Sequence, residues 1–280
     1  MLQTSNPLQQ FFRQPAIYTR LPSDGQHWPP GSLNMPANHE LPVYPMTAID
    51  EITYRTPDAL FNGQSTISVI QSCVPNIKNA WHMPGIDLNS VLIAIRVASY
   101  GHNMEVDSTC PSCESLGEYV TDLRRILDQM TAADYNIPIQ QGDLEIYFKP
   151  LNYQQQNQSS LDQFEQQKIL AAVPESDLTD DEKIARMNQA LVRITEMTME
   201  LISQSIAVIK TPTATVTAME HIREFVSNCD RKLYNAIRDR MIDLRKNSEI
   251  PNMHIQCNNC DHEYEQQMTL DMVSFFDKAS

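Results

Sequence analysis

Glycine is scarce: the 280 residues contain only seven. Loops that cradle phosphate need several glycines close together, and no Gly-rich nucleotide signature is present. Neither G-x-S-x-G nor H-E-x-x-H occurs, so the nucleophile elbow and the helical zinc-protease pair are both missing. Long apolar runs are absent as well. The best, Val91-Leu92-Ile93-Ala94-Ile95, is cut by Arg96, well short of the roughly 18 residues that cross a bilayer. The opening MLQTSNPLQQFFRQP has no apolar centre and does not read as a secretion signal. Basic residues are the minority. The 21 Lys and Arg against 35 Asp and Glu give a formal charge of -14 and a pI near 4.8. Polyanion binding works by neutralising phosphates with Lys and Arg, and an anionic membrane repels such a chain. Only RDRMIDLRK at 238–246 is mildly basic. What remains is an acidic chain whose 41% apolar content supports a core. Its expected partners are proteins, not nucleic acid, membrane or a small-molecule substrate, and no enzymatic role is expected.

Six cysteines without a leader point to a reducing compartment, where paired cysteines bind metal or do redox chemistry. Four of them form two knuckles, CPSC at 110–113 and CNNC at 257–260. Each C-x-x-C turn can aim two thiolates at one ion, and two such turns complete a tetrahedral sulfur site. Cys110, Cys113, Cys257 and Cys260 are therefore the candidate ligands of a structural Zn²⁺. Four sulfurs leave no open position for water, so the site is expected to hold the fold rather than to catalyse. The spacing serves iron as well as zinc. Two separate redox motifs would each follow a strand and open a helix, whereas strand-like residues follow both knuckles here. Glu114 and Asp261 stand where the chain commonly needs φ > 0, and Asp tolerates that better than Glu, so the first knuckle is expected to be the less regular. His102, His254 and His262 lie nearby as substitute ligands, though solvated strand positions suit them better. Cys73 and Cys229 fall on apolar helical stripes and are expected in the core.

The arrangement along the chain is uneven. Residues 1–45 hold eight of the 17 prolines, with Phe11, Phe12, Tyr18, Trp28 and Tyr44 among them. Proline at that density blocks helices and central strands, which predicts an extended arm lying on this protein's own surface or a partner's. From Thr47 the chain turns globular. A helix start is expected at Pro57–Phe61, a short helix at 65–73, and a helix capped by Asp87 and ended by Gly101. HNMEVDST, SLGEYVTDL and DLEIYFK read as strands. Residues 140–167 carry nine glutamines and suit a surface connection or an exposed helix. Thr179 and Glu182 form a capping box before the stripe Ile184, Met187, Leu191, Ile194, Leu201 and Val208, which Pro212 ends. Thr217 with Glu220 is expected to cap a second long helix bearing Met219, Ile222, Val226, Cys229, Leu233, Ile237 and Leu244. Two such stripes predict a helical hairpin. The knuckles sit at the tips of two probable hairpins, and each is followed by a Tyr and an Asp (Tyr119 and Asp122, Tyr264 and Asp271).

The stretch 44–73, YPMTAIDEITYRTPDALFNGQSTISVIQSC, and the stretch 87–113 together resemble the baseplate hub assembly family of T-even-like contractile-tailed bacteriophages. The residues that carry the likeness are Pro45-Met46-Thr47, Asp50-Glu51, Thr56-Pro57, and Ile95-Arg96 with Ser99-Tyr100-Gly101. LPSDG at 21–25 is similar to the family's N-terminal arm. The likeness covers about 20–125 and the second knuckle. It implies a protein–protein component of a contractile tail baseplate that bridges hub or spike and wedge proteins. It further implies synthesis in the host cytoplasm, either as a part of the virion tail or as an assembly factor that leaves it, with no catalytic residues to carry over.

The expected fold is α+β and mostly helical: a four-Cys zinc ribbon split by a large helical insertion, plus the Pro-rich arm. The expected division is 1–45 arm, 46–150 α+β domain with the first knuckle, 151–249 helical insertion, and 250–280 second knuckle. A rival is a nucleic-acid-binding zinc-ribbon accessory factor. It would need a basic ribbon face, whereas Glu114, Glu118, Asp261, Glu263 and Glu265 flank the knuckles.

Overall fold

The computed structural model describes residues 6–55, 63–268 and 275–276. The helix start expected at Pro57–Phe61 and the expected role of Asp271 fall outside them. The fold is α+β, and the chain forms two units. One holds Met1–Ala80, Asp87–Met130 and Ile250–Ser280; the other holds Trp81–Ile86 and Thr131–Glu249.

The first unit begins with β1 (Ile17–Thr19), antiparallel to β2 (Leu41–Val43). These strands, with Leu21, bury Leu41 and Val43. Several residues between 13 and 45 bond to other elements of this unit. Arg13 donates to the carbonyls of Pro45 and Ser72 and to Asp50. Helix α1 (Ala48–Tyr54) opens with a capping box, Thr47 as N-cap and Asp50 at N3. Helix α2 is Gln64–Cys73, and its terminal Cys73 is buried as expected. Burial raises that thiol to about 12, which leaves it inert.

Helix α3 (Gly85–Tyr100) carries the run Val91–Ile95, buried on every side. A helix apolar all round is a central one. Arg96, buried within it, donates to the Phe275 carbonyl and lies over the Phe275 and Tyr100 rings. Gly101 ends the helix at φ +88, a left-handed conformation that glycine adopts without a Cβ clash. Asp87 is not the N-cap. The helix starts two residues earlier, and the fully buried Asp87 carboxylate accepts from the Ser23 N–H (2.9 Å), the Ser23 hydroxyl (2.5 Å) and Trp28 Nε1 (2.8 Å).

Strands β3 (Asn103–Thr109) and β4 (Leu116–Asp122) form an antiparallel hairpin, followed by α4 (Leu123–Gln129). In the second unit β5 (Ile139–Gln141) and β6 (Leu144–Phe148) start an antiparallel sheet. The Gln-rich segment is α5 (Tyr153–Ala172), a helix with no buried residue. The capping box of Thr179 and Glu182 then opens α6 (Asp180–Ser205) as expected.

Beyond that point the structure corrects the expected helices. Helix α6 stops at Ser205, and Val208 lies in β7 (Ile206–Lys210), which pairs with β6. Tertiary pairing overrides the helical period because Ile206, Val208 and Ile209 are β-branched and suit a sheet. Pro212 therefore sits in the turn to β8 (Thr215–Val216), not at a helix end. The buried positions of α6 include Ala190, Met197 and Ile202, whereas Ile184, Met187 and Leu191 of the expected stripe are exposed. The second expected helix is two: α7 (Met219–Asn228) and α8 (Arg231–Lys246). Asp230 is the reason, because its carboxylate caps α8 by accepting from the Leu233 N–H at 2.9 Å. Helix α7 has no side-chain cap, so the Thr217–Glu220 box does not form. The stripe itself survives the break, and Ile222, Val226, Leu233, Ile237 and Leu244 join Ile146, Phe148, Ile202 and Ile206 in one core. Cys229 packs against that core, as expected.

The chain returns to the first unit with β9 (Met253–Gln256) and β10 (Glu263–Gln266), a second antiparallel hairpin.

Candidate metal centre

Both C-x-x-C segments sit at hairpin tips, Cys110–Cys113 between β3 and β4 and Cys257–Cys260 between β9 and β10. The two turns repeat each other bond for bond. The Cys110 N–H donates to the Ser115 carbonyl (3.0 Å) and the Cys257 N–H to the His262 carbonyl (2.9 Å). The Glu114 N–H donates to the Cys110 carbonyl and the Asp261 N–H to the Cys257 carbonyl, both at 3.0 Å. The Ser112 and Asn259 N–H groups each donate to the first sulfur of their own turn at 3.4 Å. Glu114 and Asp261 share φ +56. The first knuckle is therefore as regular as the second, contrary to expectation: the closed turn imposes the left-handed residue whatever its side chain.

The turns bring all four candidate cysteines together, with their sulfurs within 4.8 Å of one another. Cys110 and Cys257 are buried, Cys113 is half-buried and Cys260 exposed. Two inter-knuckle distances, Cys110–Cys260 and Cys113–Cys257, are 3.7 Å. That is too long for a disulfide, whose S–S bond is about 2.05 Å. It matches the edge of a tetrahedron with Zn–S bonds of about 2.3 Å, which is about 3.8 Å. Sulfurs this close enclose one ion and leave no room for a multi-iron cluster. The donor set thus fits a single tetrahedral metal ion.

Electrostatics point the same way. The Ser115 hydroxyl, 3.0 Å from Cys113, leads the effects that pull that thiol down to about 5, and it also leads those that lower Cys257 to about 7. The His262 N–H lowers Cys260, but the neighbouring sulfurs of Cys113, Cys257 and Cys110 outweigh it, and this thiol is pushed up to about 12. Four thiolates at this separation repel one another, so ionisation of some suppresses that of the rest. A divalent cation removes the conflict.

The surrounding polar groups were not evident from spacing. Ser115 reaches two sulfurs, and Asn259 Nδ2 lies 3.6 Å from Cys113 Sγ. Each sits two residues after a first or second cysteine of a knuckle, where side chains fold back over the turn. Below the tips the hairpins are joined by the Ser108 hydroxyl, 2.8 Å from the Tyr264 hydroxyl and 3.0 Å from Gln266 Oε1. None of the three candidate histidines joins the sulfur cluster. The His102 carbonyl accepts from the Leu123 N–H, and the His262 ring stacks on Tyr264. His254 Nδ1 lies 3.8 Å from Glu265 and is solvent-facing.

Among the described residues behind the sequence resemblance, several meet in space. Thr47 and Asp50 bond each other, the Ser99 hydroxyl accepts from the Met46 N–H at 2.9 Å, and the Tyr100 hydroxyl donates to Glu51 at 3.0 Å. Their role is to join α1 to α3. No described helix is long and apolar enough to cross a membrane.

A family model described as T4 bacteriophage base plate protein matches residues 45–277. No curated protein and no solved structure matches the chain.

Proposed function

The chain belongs to the T4 bacteriophage base plate protein family, and from that premise we propose that it is a non-enzymatic component of a contractile tail baseplate, stabilised by one structural zinc ion. The family match over most of the chain carries the baseplate assignment. The sulfur tetrahedron carries the metal. Cys110, Cys113, Cys257 and Cys260 are the proposed ligands, and the paired hairpins they join form the proposed ribbon. Zinc bound there supplies a fixed cross-link between distant chain segments and no open coordination position.

In this reading the protein works through contacts with other tail proteins, of the hub or spike and the surrounding wedges. It is made in the host cytoplasm and retained in the virion. The role of an accessory factor on nucleic acid finds no support in the ribbon. Its described outer faces carry Glu105, Asp107, Glu118, Glu263 and Glu265, the wrong sign for phosphate.

Quantitative mass spectrometry of purified virions tests the assignment. A fixed whole-number ratio to known tail proteins is the expected result. Presence in the infected-cell lysate with absence from virions would remove the structural role. Metal analysis of the purified protein tests the centre. One colourless zinc per chain is expected, and a coloured single-iron protein would correct the metal but not the site.

A further inference from the structure

The β3–β4 hairpin has two faces of different character. The inner face meets β9–β10 through Ser108 and Tyr264. The outer face pairs Thr109 with Leu116, Asp107 with Glu118 and Glu105 with Val120. Leu116 is 73% exposed and Val120 68%, an unusual cost for two apolar residues on a seven-residue strand. Glu118 is exposed between Leu116 and Val120 on this face. Residues 102–121 hold four carboxylates and no Lys or Arg. Among the described strands β4 has β3 as its one neighbour, which leaves its other edge open for main-chain pairing.

We propose that the open edge of β4 receives a strand from a partner protein, with apolar residues beside Leu116 and Val120 and a Lys or Arg beside Glu118. Main-chain bonds supply affinity, and the alternate side chains supply specificity. An added strand places its outward residues on the face of Leu116, Glu118 and Val120. It covers both apolar side chains and sets a cation beside Glu118. A second copy of this chain is the wrong occupant, because its β4 would bring a further Glu118 to the same face. Nucleic acid and anionic membrane are wrong by charge. The inference stands on the hairpin alone and goes beyond the baseplate assignment by naming the contact chemistry.

The test uses the full metal-bound chain and a capped peptide, Thr-Leu-Thr-Lys-Thr-Leu-Thr, with a Glu-for-Lys peptide as control. Calorimetry reads affinity, and hydrogen exchange reads location. The expected result is binding with slowed exchange at 116–122, at least severalfold weaker for the Glu peptide and in high salt. Glu118→Lys and Glu105→Lys together should weaken it about tenfold, in keeping with the loss of two exposed charge contacts. Both side chains are exposed, so a melting curve no lower than the parent's shows that the variant folds. The proposal is overturned by no binding at about 1 mM peptide, by equal binding of the Glu peptide, by protection outside the hairpin, or by an unchanged affinity in the double variant. No tail protein enters the assay, so its failure leaves the baseplate assignment untouched.

Discussion

Replacing Cys257 with Ser, or stripping the metal, should loosen the first unit and leave the second folded. The magnitude follows from chain connectivity. The Cys113–Cys257 contact joins residues 144 apart. A cross-link closing a loop of that length removes unfolded-state entropy worth about 5 kcal/mol at 25 °C. Either knuckle alone can still hold metal in the unfolded chain, and binding there reduces the gain. A net loss of about 3–5 kcal/mol is the working figure, and it is a large part of the 5–15 kcal/mol that keeps a domain folded. At about 2–4 °C per kcal/mol for a unit this size, melting should fall by roughly 6–20 °C. The second unit has its own core around Ile146, Ile202, Ile222 and Ile237, so its helices should persist. Thermal melting by circular dichroism gives the shift, and hydrogen exchange assigns it: faster exchange at 103–122 and 253–266, with α6 to α8 unchanged. Cys229→Ser is the control, since that thiol packs against the other core and should shift melting only slightly. Unchanged melting after verified loss of metal would refute the cross-link. So would an equal drop in the control.

Other outcomes follow from single side chains. Glu114 holds φ +56, which costs a non-glycine residue roughly 1 kcal/mol. Glu114→Gly should therefore raise the melting temperature by a few degrees, and Glu114→Val should lower it. Burial raises the Asp87 carboxyl to about 6, against the three hydrogen bonds that lower it. The folded state thus holds this proton more tightly than the unfolded state, whose pKa is near 3.8. Stability falls as pH rises from about 4 to 6, by up to about 3 kcal/mol from this group. Asp87→Asn lacks that titration, so its stability relative to the parent should rise over the same interval; parallel pH curves would show that Asp87 does not titrate there. Thr179→Ala removes the α6 capping box and should cost about 1 kcal/mol in the second unit, read by denaturant unfolding.

The clustering of the four cysteines was legible because it needs only spacing. Two C-x-x-C turns at hairpin tips dictate what their sulfurs can reach, and the turn geometry even fixes the conformation of residues 114 and 261. The helices were legible where caps are local, as at Thr179 and Gly101. They were misread where a local signal competes with a distant one. Ile206 to Ile209 continue a helical period, yet β6 recruits them as a strand. Asn228-Cys229-Asp230 interrupts a continuous stripe because an Asp N-cap outweighs apolar periodicity. Asp87 has the identity of a cap, but Ser23 and Trp28, more than fifty residues away, take its carboxylate. None of those contacts has a spacing to read.

The place of the four-sulfur cluster in the chain shows what a metal ion bound there would do for the fold. The first unit is assembled from three chain segments, and most of the second unit, Thr131–Glu249, lies in sequence between the last two. The returning segment brings back only a short hairpin, whose strands are four residues each. An isolated two-stranded hairpin is marginal in water. This one buries Met253 and Ile255 and bonds Ser108 through Tyr264 and Gln266, which is little to set against the entropy of closing so long a loop. A tetrahedral ion at the tips would offset that cost without a larger core, held by residues the two hairpins present in the same geometry. Zinc binding and recapture of residues 250–268 should therefore be one event. In a titration of metal-free protein, zinc uptake and protection of β9–β10 should rise together, and protection that precedes uptake would show that the hairpin docks unaided.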